Sequence, residues 1–568
     1  MTGKFTEWSH HKTELCASKG MVAARHPLSA EAGLRILEQG GNAVDAAIAA
    51  SLAGSVVQQA ANSIGGGGML VVSHPTKGSS AINYLYEAPS LASPEMFPLE
   101  AHAEPGLFGW KGIKDRLNEI GGLAVGVPGS IAGLHLASRQ FGLLDWARVV
   151  APAIALAEDG YAMDWYGSLM LSVHADEMQP YSSTVKQFLR DGKYSYRPAV
   201  VDAADVHRQI ELARTLRLVA ESGPDGFYKG EVAKSIAAAV KAAGGVLSEA
   251  DLAQYAPRQS AAATLLYRGN TVHYVPYAAP TAAMFLAILG CFDISSYTPA
   301  DPRRLHLIVE TLRRCWHYRN AFNGDSALVK GPWSGLANVE FAKAVAATIS
   351  PTEARPMSSP VDPYDYSGDE NGATSASGAP GRHEGTVHIS AADSSGTMAA
   401  LTETVVGNFG SLVTSESGVL LNNGMIGFSP IPGQSNSVAP GKRPATNMSP
   451  LIVKRPDGRP LLTVGASGGR KIIPAVVQVL NLVIDHGLGM QDAVAHPRLD
   501  IEGDKVILDS RFGESVARQL KDMGHVVELR REDLSTFEFG NACGILSGDD
   551  GSFFSGVNPF QMTTAAGH

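Results

Sequence analysis

Apolar and polar residues follow a helical period through most of the first 350 residues. Ser29 is placed to cap a first helix, which Gly40-Gly41 can end. Asn42 can cap the next helix, with Asp45 at the third helical position in a capping-box arrangement. The Ala-rich run that follows favours close packing of this helix on a sheet. Further helices are predicted at 131–140, 147–158, 205–221, 231–243 and 303–320.

After residue 385 the period changes to two. From 386 to 391 polar and apolar side chains alternate, which places Thr386 and His388 on one face of a strand. Turn-forming residues at 393–396 and an apolar run from Met398 to Val406 predict a partner strand. Further strands are predicted at 417–422, 450–454, 461–465 and 505–508, with a helix near 473–485. Helices and strands interleave in both halves, which predicts an α/β layered architecture.

The segment 350–385 breaks both patterns. It is rich in Pro, Ser, Gly and Asp and has no apolar periodicity. Such a stretch buries too little apolar surface to offset its ordering entropy, so it is predicted to be mobile. Composition alone favours an interdomain linker as its role.

Composition limits the function classes. The chain has 568 residues, 45% apolar and 18% charged, which indicates a globular protein with a sizeable core. The net charge of −9 and the lack of a Lys/Arg cluster argue against nucleic-acid binding. The first 20 residues contain no signal-peptide pattern, and the longest apolar stretch, 43–57, is too short to span a bilayer. Four widely separated cysteines form no CxxC pair, which argues against a disulfide framework and fits a reducing compartment. Together these features predict a cytoplasmic protein without membrane contact.

Known catalytic motifs are mostly missing. Glycine-rich stretches at 64–68 and 465–471 lack the spacing of a phosphate-binding loop, although adjacent glycines can present N–H groups to an oxyanion. The sequence has neither HExxH nor GxSxG, and His306 is interpreted as a core residue rather than a ligand. No metal and no organic cofactor are therefore expected.

Thr386 opens a strand directly behind the flexible segment. Its ordinary interpretation is a β-branched strand residue. The chemical interpretation is a nucleophile whose own α-amino group acts as the base, because the reference pKa of that group is about 7.7–8.0. Such an amine exists only if the Gly385–Thr386 bond is cut. Gly385 leaves the scissile carbonyl sterically open.

A series of short motifs resembles the gamma-glutamyltransferase (gamma-glutamyltranspeptidase) family of N-terminal nucleophile (Ntn) hydrolases. The motifs occur in the same order as in the family and extend from about residue 20 to the C-terminus. In the first half the matching motifs are 20–22, 40–46, 63–68, 126–130, 152–154, 227–230, 251–255, His306 with Glu310, and 324–325. In the second half they are 386–390, 416–423, 442–450 and 468–469.

This resemblance implies roles for individual residues. Thr386 would be the nucleophile, and Thr404 would hydrogen-bond its hydroxyl. Gly468 and Gly469 would form the oxyanion hole. The implied fold is a four-layer αββα sandwich. Cleavage would give a large fragment, 1–385, and a small fragment, 386–568, which would stay together as a heterodimer sharing one core; any higher oligomer stays open.

The residues that recognise a glutamyl group in the family do not carry over. Pro94 stands in place of an Arg, Val406 in place of an Asn, and Gly424 and Gly427 in place of Gln and Asp. Each lost charge-assisted contact forfeits about 1.5–3 kcal/mol. The remaining candidates for substrate binding are Thr446, Asn447 and Arg470.

The sequence therefore supports two hypotheses for a small-molecule amide substrate. The first is a self-cleaving gamma-glutamyltransferase-like enzyme that hydrolyses or transfers an acyl group through acyl-Thr386. The alternative is a non-glutamyl amidohydrolase or acylase of the same family, acting on a small oxo-acid amide or an acylated amine. An unprocessed, non-catalytic binding protein is disfavoured because Thr386, Thr404 and both glycines are intact.

Overall fold

The computed structural model describes residues 10–100, 110–277, 280–357, 359–368, 385–534 and 536–568. The α-helices of this part of the chain are α1 (Pro27–Glu38), α2 (Ala43–Val57), α3 (Ser130–Phe141), α4 (Trp146–Asp159), α5 (Trp165–Met178), α6 (Ser182–Phe188), α7 (Ile210–Ser222), α8 (Asp225–Tyr228), α9 (Gly230–Ala242), α10 (Glu249–Gln254), α11 (Thr281–Leu289), α12 (Pro302–Ala321), α13 (Trp333–Leu336), α14 (Val339–Ala346), α15 (Ile472–His486), α16 (Met490–Ala495) and α17 (Gly513–Asp522).

The strands are β1 (Cys16–Ala17), β2 (Gly20–Ala24), β3 (Gly67–His74), β4 (Gly78–Tyr84), β5 (Tyr161–Ala162), β6 (Val206–His207), β7 (Arg258–Ala261), β8 (Ala263–Tyr267), β9 (Asn270–Tyr274), β10 (Gly385–Asp393), β11 (Met398–Val406), β12 (Leu451–Lys454), β13 (Pro460–Ser467), β14 (Leu499–Glu502), β15 (Lys505–Asp509), β16 (Val526–Arg530), β17 (Asn541–Ser547), β18 (Phe553–Val557) and β19 (Thr564–Gly567).

Two seven-stranded sheets form the centre of the molecule. One has the order β1-β18-β17-β13-β12-β9-β8, and the other has the order β19-β2-β10-β11-β3-β4-β7. Every neighbouring pair in both sheets is antiparallel. A small sheet, β14-β15-β16, lies outside this pair.

Three apolar cores separate four layers. One core joins β2, β3, β10 and β11 to α1, α2, α4 and α7. A second joins β12 and β13 to α11, α12 and α15. The third lies between the two sheets and is built from Met21, Ala23, Val71, Ile452 and Ile545, among others. This order of layers is the αββα sandwich, so the predicted fold class is confirmed.

Strands from before and after the Gly385–Thr386 bond contribute to each of the two large sheets. β10 pairs with β2, β11 pairs with β3, and β12 pairs with β9. The segment 350–385 therefore does not separate two independent domains. Residues 358 and 369–384 of that segment lie outside the described residues, but a 3₁₀ turn at Pro363–Tyr366 is packed, with Pro363 buried and the Tyr366 carbonyl accepting from Asn338.

Most predicted helices and strands are present, but the cap of the first helix differs. α1 begins at Pro27, and the His26 ring accepts the Leu28 N–H at 3.1 Å. Pro27 is suited to the first helical position because its φ is fixed and its missing N–H would be unpaired there. Ser29 is instead buried and donates to the Ala50 carbonyl of α2. The prediction that Ser29 caps the helix is wrong.

The Asn42 cap is confirmed, including the reciprocal bond to Asp45. The strand predicted at 417–422 is wrong, because this buried run has an irregular backbone. Gly418 has a φ of +79°, and the Asn422 amide donates to the carbonyls of Gly65 and Gly126. Isolated backbone bridges, Gly65–Leu421 and Thr414–Leu420, together with the Asn422 side chain hold this run in place of a continuous ladder of backbone hydrogen bonds.

Candidate active site

Thr386 lies at the start of β10, in the middle of its sheet. The side chain is buried, with 4% of its surface exposed. The pairing of β10 with β11 slips between Gly385 and Val387, so a bulge falls on the peptide that precedes the nucleophile candidate. Gly385 is tightly enclosed: a Cβ there would fall 2.4 Å from the Ala60 carbonyl oxygen. Only glycine fits at this position without a shift of the backbone.

Two hydroxyl groups converge on the Gly385 carbonyl. The Thr386 hydroxyl lies 2.8 Å from that oxygen and 3.2 Å from the Thr404 hydroxyl. The Thr404 hydroxyl donates to the same carbonyl and accepts the Val406 N–H at 2.8 Å. Because Thr404 is held by the Val406 amide, its proton is aimed at the Gly385 oxygen. A carbonyl polarised in this way is prepared for attack by the neighbouring hydroxyl.

The backbone opposite the Gly385–Thr386 peptide is strained. Val406, the register partner of Gly385, has a φ of +80°, and Phe409 and Leu412 follow at +56° and +63°. The left-handed region is unfavourable for a β-branched residue, at a cost on the order of 1–3 kcal/mol. These residues are buried, so their packing enforces the conformation. Strain of this kind concentrates at functional sites.

Arg25, which follows β2, is a site residue that the sequence analysis missed. Its guanidinium donates to the Thr386 carbonyl at 2.5 Å and to the Tyr166 hydroxyl at 3.2 Å. The guanidinium also lies 5.6 Å from the Tyr166 ring centroid and 5.4 Å from the ring of Phe537. No local motif marks an arginine at a strand end as functional, so only the pairing of β2 with β10 reveals it.

β13 crosses β10 on the inner side of the sandwich. The Thr463 hydroxyl is 3.3 Å from the Ser390 hydroxyl. Gly465 packs so closely on His388 that a Cβ would fall 2.3 Å from the imidazole ring. The two strands therefore pass each other in opposite directions: two residues forward along β13 correspond to two residues back along β10.

When this correspondence is continued by two more residues, Ser467, the last residue of β13, is matched with Thr386. Gly468 and Gly469 follow at once, with φ values of +121° and +57°. Glycine is the residue that adopts these angles without strain. Neither amide donates a hydrogen bond to another group in the described ranges. These geometries fit the predicted oxyanion hole, and the role itself stays a prediction.

His388 is a structural residue on the same strand face. Its ring bonds the Thr402 hydroxyl at 2.8 Å and the Ser390 hydroxyl at 3.0 Å. Complete burial lowers the pKa of His388 to about 3, so the ring is neutral at physiological pH. Both ring nitrogens are occupied, which leaves no group to act on a substrate.

The three predicted substrate-binding residues are placed differently from one another. Thr446 accepts from the Met448 N–H through its hydroxyl at 3.2 Å and from Arg319 through its carbonyl. Asn447 is largely buried, and its carbonyl accepts from Ser449. Arg470 stacks on Trp316 at 4.4 Å and lines a cavity whose walls do not include Thr386. The contacts of the Arg470 side chain are thus with Trp316 and the Ile501 carbonyl, and its role in substrate binding stays a prediction.

The positions that depart from the family pattern lie against apolar side chains. Val406 packs in a buried cluster with Tyr86, Ile426 and Met448. A Cβ on Gly424 would fall 2.0 Å from the Tyr86 ring, so the aromatic ring occupies the space that a larger side chain would need. The loop that carries Pro94 packs on the turn Gly424–Gly427 through a second apolar cluster.

The described ranges contain neither a metal-binding cluster nor a membrane-spanning helix. No group of three or more His, Cys, Asp or Glu side chains there could hold a metal ion. None of the helices described is long and apolar enough to cross a membrane. His306 is buried and bonds His525 at 2.7 Å and the Ser350 carbonyl at 2.8 Å, which confirms its interpretation as a core residue.

Comparison with known proteins gives one consistent family. The family model described as Gamma-glutamyltranspeptidase matches residues 29–566. The chain is 31% identical over 563 residues to the glutathione hydrolase proenzyme of Escherichia coli, covering 96% of this chain and 90% of the relative. It is also 31% identical over 528 residues to the acylase ACY 1 proenzyme of Pseudomonas sp. (strain SE83), covering 92% of this chain and 90% of the relative.

Solved structures support the same conclusion. Cephalosporin acylase from Bacillus halodurans superposes with a TM-score of 0.82 at 25% identity, covering 100% of this chain and 99% of that structure. Gamma-glutamyltranspeptidase from Helicobacter pylori superposes with a TM-score of 0.54 at 31% identity, covering 62% of this chain and 95% of that structure. Glutathione hydrolases and acylases are thus both found among the similar proteins.

Proposed function

Because this chain belongs to the gamma-glutamyltranspeptidase family, and is therefore a hydrolase or acyltransferase, we propose that Thr386 is the nucleophile through which it cuts itself and its substrate. One observation carries the proposal: the Thr386 hydroxyl, the Thr404 hydroxyl and the Gly385 carbonyl lie within hydrogen-bonding distance of one another. The relatives that share this family are produced as proenzymes, which supports a precursor that is cut.

Maturation begins when the Thr386 hydroxyl oxygen attacks the Gly385 carbonyl carbon. The bond from that carbon to the Thr386 nitrogen breaks, the nitrogen takes the hydroxyl proton, and an ester links the two residues. Water then hydrolyses the ester, which releases the Gly385 carboxylate and the free α-amino group of Thr386. The Thr404 hydroxyl donates to the oxygen on which negative charge develops.

Turnover uses the same hydroxyl. The α-amino group of Thr386 accepts the hydroxyl proton while the oxygen attacks the carbonyl carbon of an amide. The N–H groups of Gly468 and Gly469 stabilise the oxyanion, and the amine leaves with the proton. Water or an acceptor amine then attacks the acyl-Thr386 ester and regenerates the enzyme.

The two fragments are proposed to remain a heterodimer. β10 of the small fragment lies between β2 of the large fragment and β11, and β12 pairs with β9. Separating the fragments would break these ladders and expose the core between the sheets. Native mass spectrometry of the cut protein tests this proposal, and a small fragment of 183 residues released without denaturant would contradict it.

The identity of the acyl group is the finer question, and two observations favour a non-glutamyl acyl group. The Tyr86 ring fills the space beside Gly424, and Val406 packs with apolar side chains where the resemblance implies polar groups. A zwitterionic glutamyl group would lose its charge-assisted contacts there. The glutathione-hydrolase alternative is supported by equally similar relatives.

A substrate panel separates these two alternatives. Steady-state kcat/KM should be measured for a gamma-glutamyl anilide and for anilides of uncharged acyl groups of graded length. We expect the uncharged acyl anilides to be cleaved at least tenfold more efficiently. Efficient gamma-glutamyl turnover would contradict the argument from Tyr86 and Val406. In either case rapid quenching should trap the acyl group on the fragment that begins with Thr386.

A further inference from the structure

Lys471 closes the turn that carries the predicted oxyanion donors. It follows Gly468, Gly469 and Arg470 in the chain, and its N–H donates to the Gly468 carbonyl at 3.1 Å. The next residue, Ile472, begins α15. Glycine offers no side chain that could anchor the turn, so the position of the turn depends on the residues around it. Lys471 is placed to fix the turn because its own side chain is buried.

The ammonium group of Lys471 is paired with a carboxylate. Its Nζ lies 3.2 Å from Oε2 of Glu538, and 1% of the Lys471 side chain is exposed against 21% of the Glu538 side chain. Burial lowers the pKa of Lys471, although the charge of Glu538 opposes this shift. Burial alone would raise the pKa of Glu538, but Lys471 and Arg530 outweigh it, so that pKa is lowered. The Lys471 charge is the more deeply buried of the two, and loss of its partner would leave it uncompensated.

Glu538 belongs to a segment, residues 537–540, that packs against the oxyanion turn. A Cβ on Gly468 would lie 3.2 Å from the Gly540 Cα, so the two backbones are in close contact. A Cβ on Gly540 would lie 2.9 Å from the Lys471 carbonyl oxygen, on the other side of the turn's glycines. The turn is therefore joined to segment 537–540 twice, by this backbone contact and by the ion pair of Lys471 with Glu538.

Segment 537–540 is itself held in place by buried charged side chains. The Arg498 guanidinium donates to the Phe539 carbonyl at 3.2 Å and to the Gly540 carbonyl at 3.1 Å. The Glu532 carboxylate accepts the Phe539 N–H at 2.9 Å. These hydrogen bonds fix the backbone of the segment, so that it can serve as a support for the turn.

The same segment also contacts the residue that holds the nucleophile. The Phe537 ring lies 5.4 Å from the Arg25 guanidinium, which donates to the Thr386 carbonyl. Glu538 is the next residue in the chain and bonds Lys471. One short segment thus contacts both the arginine that holds Thr386 and the lysine that closes the oxyanion turn. A shift of the segment would change the geometry between the nucleophile and the oxyanion donors.

We propose that Lys471 and Glu538 are positioning residues, whose ion pair holds the N–H groups of Gly468 and Gly469 in the geometry that stabilises the oxyanion. The inference rests on the proposed function, because it assigns the pair to turnover. Donors at a reacting centre have to be held to within about 0.5 Å of their productive positions. In the proposed maturation the Thr404 hydroxyl donates to the attacked carbonyl, so the ion pair should affect turnover and leave self-cleavage largely unchanged.

The experiment compares Glu538→Gln, Lys471→Met and the double variant with the wild-type enzyme. Each single change removes one charge and keeps the length of the side chain. The measurements are kcat and KM on an anilide that the wild type cleaves, the rate of precursor cleavage, and the free energy of unfolding in urea. We expect kcat to fall about tenfold or more in each single variant, while KM and the rate of self-cleavage change less than about threefold. The double variant should lose no more than the worse single variant, because the two residues act as one unit.

Lys343→Met is the matched control, because Lys343 forms an exposed ion pair with Glu340 on α14 at 2.8 Å. It should leave kcat, KM and self-cleavage unchanged. Wild-type kcat in both single variants, a change in KM alone, or additive losses in the double variant would overturn the proposal. Parallel losses of kcat, self-cleavage and stability would also overturn it, since they would mark the pair as a general support of the fold. A wild type that stays uncut, or forms no acyl-Thr386, would instead overturn the proposed function and this inference with it.

Discussion

The Arg25 guanidinium donates a 2.5 Å hydrogen bond to the carbonyl oxygen of Thr386. These two residues lie on opposite sides of the proposed cut, so a residue of the large fragment would hold the first residue of the small one. The guanidinium is buried between the rings of Tyr166 and Phe537. This contact holds the Thr386 carbonyl and involves neither the hydroxyl nor the nitrogen of that residue.

Replacing Arg25 should therefore impair both cleavage and turnover. Arg25→Ala is expected to slow precursor cleavage and to lower kcat at least tenfold, because the loss of a charge-assisted bond frees the Thr386 backbone. Arg25→Lys should keep part of the activity, since a lysine restores the charge but only one donor direction. The rate of cleavage is followed by denaturing gel and kcat by amide hydrolysis.

Rescue of activity by added guanidinium salt would distinguish the loss of the Arg25 guanidinium from a general packing defect. Arg25→Ala empties the space that the guanidinium occupies against the rings of Tyr166 and Phe537. Millimolar guanidinium should therefore restore activity to Arg25→Ala, and it should leave the activity of Arg35→Ala unchanged, because Arg35 is an exposed residue paired with Glu31. Unchanged kcat in the Arg25→Ala protein would contradict a positioning role for Arg25.

The Thr404 hydroxyl is expected to matter chiefly for self-cleavage. Thr404→Val keeps the shape of the side chain but removes the donor to the Gly385 carbonyl, whereas Thr404→Ser keeps the hydroxyl. Cleavage of the valine variant should slow about 100- to 1,000-fold, as when an oxyanion donor is removed. Time courses of precursor and fragments after purification measure both rates. Equal rates for the two variants would show that the hydroxyl has no part in the cut.

The turn at Gly468 should tolerate no side chain. Gly468→Ala places a Cβ at a φ of +121° and 3.2 Å from the Gly540 Cα, so the predicted oxyanion donors should shift. We expect kcat to fall more than tenfold while KM changes little. Gly433→Ala is the control, because its φ is +81° but a Cβ there meets open space. If both variants lowered kcat equally, backbone strain alone would explain the effect.

His388 should make stability depend on pH. Its pKa is about 3 in the folded protein, against about 6.5 in an unfolded chain. Between these values the unfolded chain binds a proton that the folded protein does not, so the free energy of unfolding falls as the pH falls from 6.5 toward 3. This residue alone contributes a slope of about 1.4 kcal/mol per pH unit in that window.

Urea titrations of the wild-type and His388→Gln proteins test this sign. The variant should show a smaller pH slope between pH 4.5 and 6, and the two curves should run parallel above pH 7.5, where histidine is neutral in both states. Identical slopes at low pH would show that His388 is not the neutral buried group described above.

Much of the fold follows from local sequence, and the failures have physical causes. The Asn42–Asp45 capping box and the alternation from Thr386 onward are local patterns, and both are present. The run 417–422 has strand-like composition, but its partners are distant: Asn422 bonds Gly65 and Gly126. No local rule predicts that such a segment is held by isolated bridges and a side-chain amide rather than by a continuous ladder.

The active site shows the same division between residues that local patterns predict and residues placed by distant contacts. Local residue types made Thr386, Gly468 and Gly469 candidates, and the resemblance to the family implied their roles. Arg25 could not, because its role arises from a strand pairing between residues more than 360 positions apart. Arg470 was selected for its place in the chain beside Gly469, but stacking on Trp316 turns its side chain into another cavity. Adjacency in sequence therefore did not give adjacency of side chains.

The central claim is that the Gly385–Thr386 bond is cut by Thr386 itself. The direct test compares the purified wild-type, Thr386→Ser and Thr386→Ala proteins by denaturing gel and intact-mass spectrometry. The account predicts two fragments for the wild type, with the smaller beginning at Thr386, and slower but definite cleavage for the serine variant, which keeps a hydroxyl. The alanine variant should remain one chain of 59.6 kDa. A single intact chain in active wild-type enzyme, or the same two fragments from Thr386→Ala, would contradict it.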